Sequence, residues 1–144
     1  MSQNVELVRR FYALSPDLRD VDPNDPASFD VAFVNGSLDE EFELRPPGDY
    51  PEGESIFRGR EGFRRFLVMM RDVWAEWRIE PERFFDAGDK VVVFTRAVVR
   101  GSASGVPIEL PGAMVWSIKE ARLTSARVYL DRSEALEAVG LKPD

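Results

Sequence analysis

The hydrophobic period of this sequence changes near residue 78, and that change constrains the fold more than any other feature. Between residues 60 and 77, apolar side chains recur every three or four positions, which predicts one amphipathic helix. Its apolar positions are Phe63, Phe66, Leu67, Met70, Trp74 and Trp77. After Arg78 apolar and polar residues alternate, which is typical of strands with one buried face. This order predicts an α+β fold in which helices cover one face of a curved, mainly antiparallel sheet.

Turn signals divide the strand region into a shorter first arm and three long strands. The first arm, RIEPERFFDAG, contains Pro81 and so suits a sheet edge or a bulge. Residues 86–89 predict a hairpin turn, residues 101–107 a Gly/Ser turn, and residues 119–122 a third reversal. A Pro-Gly interruption at residues 111–112 predicts a bulge.

Shorter elements complete the pattern. Residues 2–14 predict a first helix, and Asp25-Pro26 predicts the start of a short second helix that ends near Asn35-Gly36. Residues 41–45 alternate as a short, half-exposed strand. Residues 133–139 predict a short C-terminal helix. With 144 residues and no linker or repeat, the chain is expected to be a single domain spanning residues 1–144.

The absence of His and Cys narrows the chemistry. No disulfide, thiolate nucleophile or Ser-His-Asp triad can form, and the sequence lacks the His and Cys side chains that usually bind zinc. Any proton transfer would have to be carried out by Asp, Glu, Tyr or Lys side chains. Neither a metal nor another cofactor is expected. The net charge of −7 argues against nucleic acid as a partner. No apolar run approaches the roughly 18 residues of a membrane span, and no secretory signal is visible, so a cytoplasmic location is expected.

Asp131 is the candidate catalytic residue. Strict alternation along the last strand would place Leu123, Ser125, Arg127, Tyr129 and Asp131 on one face, either exposed or lining a pocket. A carboxylate there could act as a general base. It could equally cap the helix that follows or pair with a neighbouring arginine.

Other residues are candidates for ligand contact. Glu43 and Arg45 share one face of the first strand and could either polarise a ligand or form a charge pair that protects an edge. The aromatic side chains could form core, pocket wall or both. This set consists of Tyr12, Tyr50, Trp74, Trp77 and Trp116, with Tyr129 added from the last strand.

The ordered segments NVELVRRFYAL, FELRPPGDYPEG, FRGREGFRRFL and RVYLDRSEALEAVGL resemble the SnoaL-like branch of the NTF2-like superfamily. That resemblance implies a cone-shaped barrel with a pocket at its open end. It also implies a general base at Asp131, which precedes a short helix containing Leu136 and Gly140. The polyketide cyclases of the branch use a His as well, whereas Met114 or a neighbour stands in that region here. Dimers are implied through the outer sheet face.

The functional hypotheses therefore stay open. One is a cofactor-free isomerase, cyclase or hydratase that acts on a small apolar substrate by carboxylate acid–base chemistry. A second is a module that binds an apolar ligand without catalysis. A third is an interaction module that dimerises through an apolar patch at Val92, Phe94 and Val98. The expected partners are a small apolar molecule and a second copy of the chain, with no nucleic acid and no membrane.

Overall fold

A computed structural model describes residues 2–14, 22, 24, 25, 27, 37–46, 56–101, 103 and 105–142. In these residues, three helices pack against one curved, mixed sheet of six strands that does not close on itself. The elements, in chain order, are α1 (Gln3–Leu14), β1 (Leu38–Arg45), β2 (Phe57–Arg58), α2 (Gly59–Val73), β3 (Trp74–Ala87), β4 (Lys90–Gly101), β5 (Pro107–Lys119), β6 (Arg122–Tyr129) and α3 (Arg132–Ala138). The predicted α+β fold, with a mainly antiparallel sheet and a short C-terminal helix, is confirmed.

The sheet has the strand order β2-β1-β6-β5-β4-β3. Its one parallel pair among the described strands joins β1 to β6, and the other neighbours are antiparallel. The long strands β3 to β6 are consecutive hairpins, as the turn signals predicted. Gly88 has a positive φ of 77° in the first hairpin turn, a conformation that glycine adopts without strain.

Alternation along the strands produces two apolar clusters on opposite faces of the sheet. On the inner face, Val91 and Val93 join residues of α1 and α2 in the larger cluster. On the outer face, Val92 packs with Ala135 and Leu136 of α3. The helices therefore lie on both sides of the sheet, with α1 and α2 inside and α3 outside.

The helix predicted over residues 60–77 ends earlier. α2 stops at Val73, and Trp74 and Trp77 belong to β3, where they pair with Gly101 and Val99. The prediction was wrong because Trp74 and Trp77 continue the spacing of a helix, although both are strand residues whose side chains lie on the inner, cavity-lining face of the sheet. β3 has 14 residues and is the longest strand described, so the expectation of a short first arm was also wrong.

The two proline interruptions have different outcomes. β3 is an edge strand with a register shift between Pro81 and Arg83, so the prediction for Pro81 is confirmed. At residues 111–112 the pairing of β5 with β4 is continuous, so the predicted bulge is wrong. β5 pairs with β6 only from Ala113 onwards. At Pro111 the β6 side of β5 therefore has no partner strand, and the missing N–H of a proline is tolerated at such a position.

The strict alternation expected along β6 also fails at one point. A register shift between β5 and β6 skips Thr124, so both Leu123 and Ala126 are fully buried in the inner cluster. Leu123 therefore does not share a face with Ser125 and Arg127, as the simple pattern predicted. A bulge of this kind moves every preceding residue of the strand to the opposite face of the sheet from the one that simple alternation predicts.

The outer face does not present the predicted apolar patch. Val92 is completely buried under α3, and Val98 is buried as well. Phe94 is partly buried, with the Phe85 ring at 4.7 Å and the Arg132 guanidinium at 4.8 Å. Around Val98 the outer face of β3 and β4 carries ion pairs, namely Glu76–Arg78, Glu76–Arg100 and Glu80–Arg96. Any interface on this face would be rich in charge.

Two further predictions concern the second helix and membrane-spanning segments. The second helix expected after Asp25-Pro26 lies largely outside the described residues, although Asp25 Oδ1 accepts a hydrogen bond from the Ala27 amide at 3.1 Å. Among the described helices, none has the length and apolar character needed to cross a membrane.

Candidate functional site

A cavity of about 500 Å³ lies between α1, α2 and the inner face of the sheet. Five strands and two helices converge on it, because β1 and β3 to β6 curve around the two inner helices. Its lining is dominated by aromatic and aliphatic side chains. The lining residues that matter below are Tyr12, Phe42, Met70, Thr95, Ala97, Gly112, Met114, Trp116, Tyr129 and Leu130.

No charged side chain contributes to the described lining of this cavity. Its polar side chains are those of Tyr12, Thr95 and the three tryptophans, whereas the side chain of Tyr129, another lining residue, packs against the outer cluster. A buried charge without a partner is costly, so a lining of this kind favours neutral, apolar ligands. In the part of the chain that the structure describes, no group of three or more acidic residues could hold a metal ion.

Trp116 is the centre of an aromatic cluster in the lining of the cavity. Its side chain is 1% exposed and its ring centroid lies 4.9 Å from that of Phe11, 5.8 Å from Tyr12 and 6.0 Å from Phe42. Contacts at these distances and tilts are the favourable edge and offset geometries of aromatic pairs. Residues from α1 and β1 thereby pack around the indole, which β5 supplies.

A hydrogen-bonded chain runs from Trp116 through Tyr12 to Met114. The Trp116 Nε1–H donates to the Tyr12 hydroxyl at 3.1 Å, and that hydroxyl donates to the Met114 Sδ at 3.1 Å. Burial raises the pKa of Tyr12, and the Trp116 hydrogen bond opposes this rise only in part. Tyr12 therefore remains a neutral phenol, able to donate, over the ordinary pH range.

The sequence model for the SnoaL-like domain matches residues 8–126, which run from the middle of α1 to the middle of β6. The chain belongs to the SnoaL-like domain family. A comparison with curated proteins finds no significant match.

Solved structures share the fold of this SnoaL-like chain. An NTF2-like protein of unknown function from Burkholderia pseudomallei K96243 superposes with a TM-score of 0.70 at 21% identity, over 97% of this chain and 99% of that one. TerC, co-crystallised with polyporic acid, gives 0.68 at 23% identity, over 96% and 98% of the two chains. A hypothetical protein with a ketosteroid isomerase-like fold from Catenulispora acidiphila DSM 44928, in complex with trimethylamine, gives 0.65 at 17% identity, over 94% and 93%. At these identities the likeness establishes the fold alone.

All but one of the predicted aromatic residues of this SnoaL-like protein lie at the cavity. Tyr12, Trp74, Trp77 and Trp116 all contribute to its lining, and Tyr129 contributes from the end of β6. Tyr50, also predicted to contact a ligand, lies outside the described residues. Whether these side chains bind a ligand stays a prediction, but the fold brings four of the five aromatic residues of the original set to one place.

Glu43 and Arg45 lie elsewhere. Phe42 and Leu44 of β1 line the cavity, and alternation turns the side chains between and after them to the opposite face. There Glu43 pairs with Arg45 at 3.5 Å and with Arg58 of β2 at 3.2 Å. The geometry matches the charge-pair alternative and gives no support to ligand contact.

Asp131 is exposed and forms the N-cap of α3. Its Oδ1 accepts a hydrogen bond from the Ser133 amide at 2.8 Å, and its backbone is extended, with φ −106° and ψ 118°. Leu130 lines the cavity, but Asp131 is not among the residues that do so. The geometry accounts fully for Asp131 as a capping residue, and a catalytic role for it stays a prediction.

Sequence reasoning missed several residues at the heart of the site. Phe42 and Thr95 line the cavity, yet each reads as an ordinary strand residue in its local sequence. Met114 also lines it and was named only for standing near the position of the cyclase histidine. Alternation within β1, β4 and β5 could have identified the inward face of all three. The partner of Met114 could not have been found, because Tyr12 is 102 residues away.

Proposed function

We propose that this SnoaL-like protein binds a small, neutral, apolar ligand in the cavity between the inner helices and the sheet. The observation that carries the proposal is a cavity of about 500 Å³ whose described lining is predominantly apolar and carries no charged side chain. Ligand pockets typically measure roughly 300–1,000 Å³ and combine apolar walls with a few polar groups. The family assignment agrees with a small-molecule role without naming the molecule.

Flexible side chains in the wall also support ligand binding. Met69 and Met70 of α2 and Met114 of β5 all contribute to the cavity lining. Methionine has three rotatable bonds and a polarisable sulfur, so a methionine wall adapts its shape to different apolar surfaces. We infer that the site accommodates a range of small aromatic molecules.

Filling the cavity tests the proposal. Naphthalene is titrated into isotopically labelled protein and the backbone amide and indole N–H resonances are followed by NMR. We expect saturable shifts of the resonances of cavity residues. In Ala97→Phe the dissociation constant should rise at least about tenfold, which corresponds to a loss of ~1.4 kcal/mol of binding free energy. Ala97 lines the cavity from β4, so the added ring would occupy ligand space. Polyporic acid, the compound crystallised with TerC, is a second probe.

The matched control is Ala138→Phe, which adds the same ring at an exposed position of α3. It should fold and bind naphthalene as the original protein does. Absence of saturable shifts in the original protein, or equal affinity in Ala97→Phe, would contradict the proposal.

An enzymatic role remains the alternative. In that case the protein would be a cofactor-free isomerase, cyclase or hydratase with Asp131 as general base. What supports it is position, since Tyr129 and Leu130 line the cavity immediately before Asp131. Against it, the carboxylate is exposed and already accepts the capping hydrogen bond. Ligand binding without turnover is therefore the function that the geometry supports best.

A further inference from the structure

We propose that the outer face of the sheet carries a binding site for a dianionic phosphate group, such as that of a phosphate monoester. The site consists of Arg127 and Ser125 of β6, Ser117 of β5 and Arg45 of β1, and it is called the outer anion site below. None of these four residues lines the cavity, so this inference goes beyond the proposed function and does not depend on it.

The register of three neighbouring strands brings the four side chains together. Ser117 is the Cα partner of Ser125. Arg127, two residues further along β6, is the Cα partner of Arg45. Residues two apart on a strand share a face, and neighbouring strands lie about 5 Å apart. The Arg127 guanidinium lies 5.0 Å from the ring centroid of Tyr129, which packs in the outer cluster, so this shared face is the outer one.

The two arginines of the site repel each other. Arg45 and Arg127 are direct neighbours across the β1–β6 pair, an arrangement in which like charges are destabilising. Among the described residues, Arg127 has no ion-pair partner, and its one side-chain contact of this kind is with the Tyr129 ring. Its guanidinium donors therefore lie at an exposed surface without a carboxylate acceptor. A bound dianion would offset the repulsion by pairing with both arginines.

The two serines place hydroxyl groups beside the arginines. The Lys90 Nζ donates to the Ser117 Oγ at 2.9 Å, which leaves the Ser117 hydroxyl proton to donate elsewhere. Within the described part of the chain, the Ser125 hydroxyl has no hydrogen-bond partner. Hydroxyl and guanidinium donors thus share one face, and phosphate oxygens are strong acceptors for both.

The charge around the site is locally positive, although the net charge of the chain is −7. In the cross-strand row that contains both serines, Lys90 of β4 and Arg58 of β2 add two cations. Glu43 is the carboxylate of that row, and its charge is shared between Arg45 at 3.5 Å and Arg58 at 3.2 Å. Glu41, the preceding residue of β1 in the same phase, is about 7 Å further along the strand.

The number and type of donors favour phosphate over a carboxylate ligand. A carboxylate offers two oxygens and a single charge, whereas a phosphate monoester offers three oxygens and a charge of about −1.5 to −2. Two guanidinium groups and two hydroxyls on three strands surpass what one carboxylate can satisfy. The expected ligand is therefore a phosphate dianion bound outside the cavity.

Two polar anions that differ in charge test the outer anion site. Glycerol 2-phosphate and acetate are titrated into isotopically labelled protein at constant ionic strength and about pH 7.5, where the phosphate monoester is a dianion. Backbone amide resonances are followed by NMR. We expect saturable shifts at residues 115–117 and 125–127 with glycerol 2-phosphate, and at least about tenfold weaker binding of acetate.

Substitutions in β6 identify the donors. Arg127→Gln should weaken glycerol 2-phosphate binding by about tenfold or more, the worth of a hydrogen bond to a charged group, and Ser125→Ala by about fivefold. Arg122→Gln is the matched control, because it removes an exposed arginine at the other end of the same strand. It should bind glycerol 2-phosphate as the original protein does.

Glu43→Gln tests the site in the opposite direction and keeps the test decisive if Arg127→Gln folds poorly. The substitution removes the carboxylate that competes for Arg45, so glycerol 2-phosphate should bind about two- to fivefold tighter. A face that serves only for structural ion pairs would show no such gain.

Three results would each overturn the outer anion site. They are the absence of saturable shifts in the original protein, equal affinities for the two anions, and an Arg127→Gln protein that binds as Arg122→Gln does. Unchanged or weaker binding in Glu43→Gln would also contradict it. Naphthalene binding in the cavity is measured separately, so the outer anion site and the proposed function stand or fail independently.

Discussion

At the scale of single residues, the carboxylate of Asp131 is compatible with two roles. Its sequence position suits a base at a pocket mouth, and its geometry suits a helix cap. Replacing Asp131 with Ala should cost about 1 kcal/mol of unfolding free energy, because the Ser133 amide loses its acceptor. Denaturant unfolding of the two proteins measures the difference.

Asp131→Asn is the control for that prediction. Asn caps helices about as well as Asp, so it should retain most of the stability. Naphthalene affinity should remain within twofold in both variants. Unchanged stability in Asp131→Ala would contradict the capping role and reopen the catalytic hypothesis.

Single residues also mark the limit of what the sequence can predict about the site. The aromatic character of the cavity follows from residue types and periodicity, as Tyr12 and Trp116 illustrate. Their hydrogen bond does not, because 104 residues separate them and only the folded sheet brings them together. The same holds for Met114, whose local pattern predicts an inward strand residue and nothing about its partner.

At the scale of elements, the boundary between α2 and β3 explains the largest error in the fold prediction. An inward-facing aromatic side chain satisfies both the helical and the extended pattern over a few residues. Cross-strand pairing of Trp77 with Val99 decides in favour of the strand, and that pairing is a tertiary interaction. Turns and strands with strong local signals, such as the hairpin at Gly88, were predictable.

Arg132 joins α3 to the strands behind the cavity. Its guanidinium donates to the carbonyl oxygens of Gly112 and Thr95, at 3.0 and 2.9 Å, and pairs with Glu82 of β3. Gly112 and Thr95 both line the cavity from the inner side. The C-terminal helix is thus tied to three strands of the cavity wall by one side chain.

Replacing Arg132 with Met should therefore lower the unfolding free energy by about 2 kcal/mol, because two carbonyl oxygens and one carboxylate lose their donor. Naphthalene should also bind more weakly, since the wall loses its outer support. Arg122→Met, at an exposed position of β6, is the control and should change neither quantity. Thermal unfolding and the NMR titration provide the two readouts, and an Arg132→Met protein indistinguishable from the control would refute this role.

At the scale of the whole molecule, the expectation of a homodimer remains a prediction. The outer face that would carry it is lined by Glu76, Glu80, Arg96 and Arg100 in place of the apolar patch first expected. Sedimentation equilibrium should give about 33 kDa, twice the 16.4 kDa of one chain. Because salt shortens the Debye length from about 10 Å at 0.1 M to about 3 Å at 1 M, a charged interface should dissociate as salt is raised. A mass of one chain under every condition would contradict the dimer.

The cavity also contains all three tryptophans of the chain, since Trp74, Trp77 and Trp116 each contribute to its lining. The indole fluorescence of this protein therefore arises entirely from side chains at one site. Displacement of water by a bound molecule would alter the colour and intensity of that emission without any added dye. The molecule thus carries its own optical reporter of occupancy, which would allow libraries of unlabelled compounds to be screened for its natural ligand.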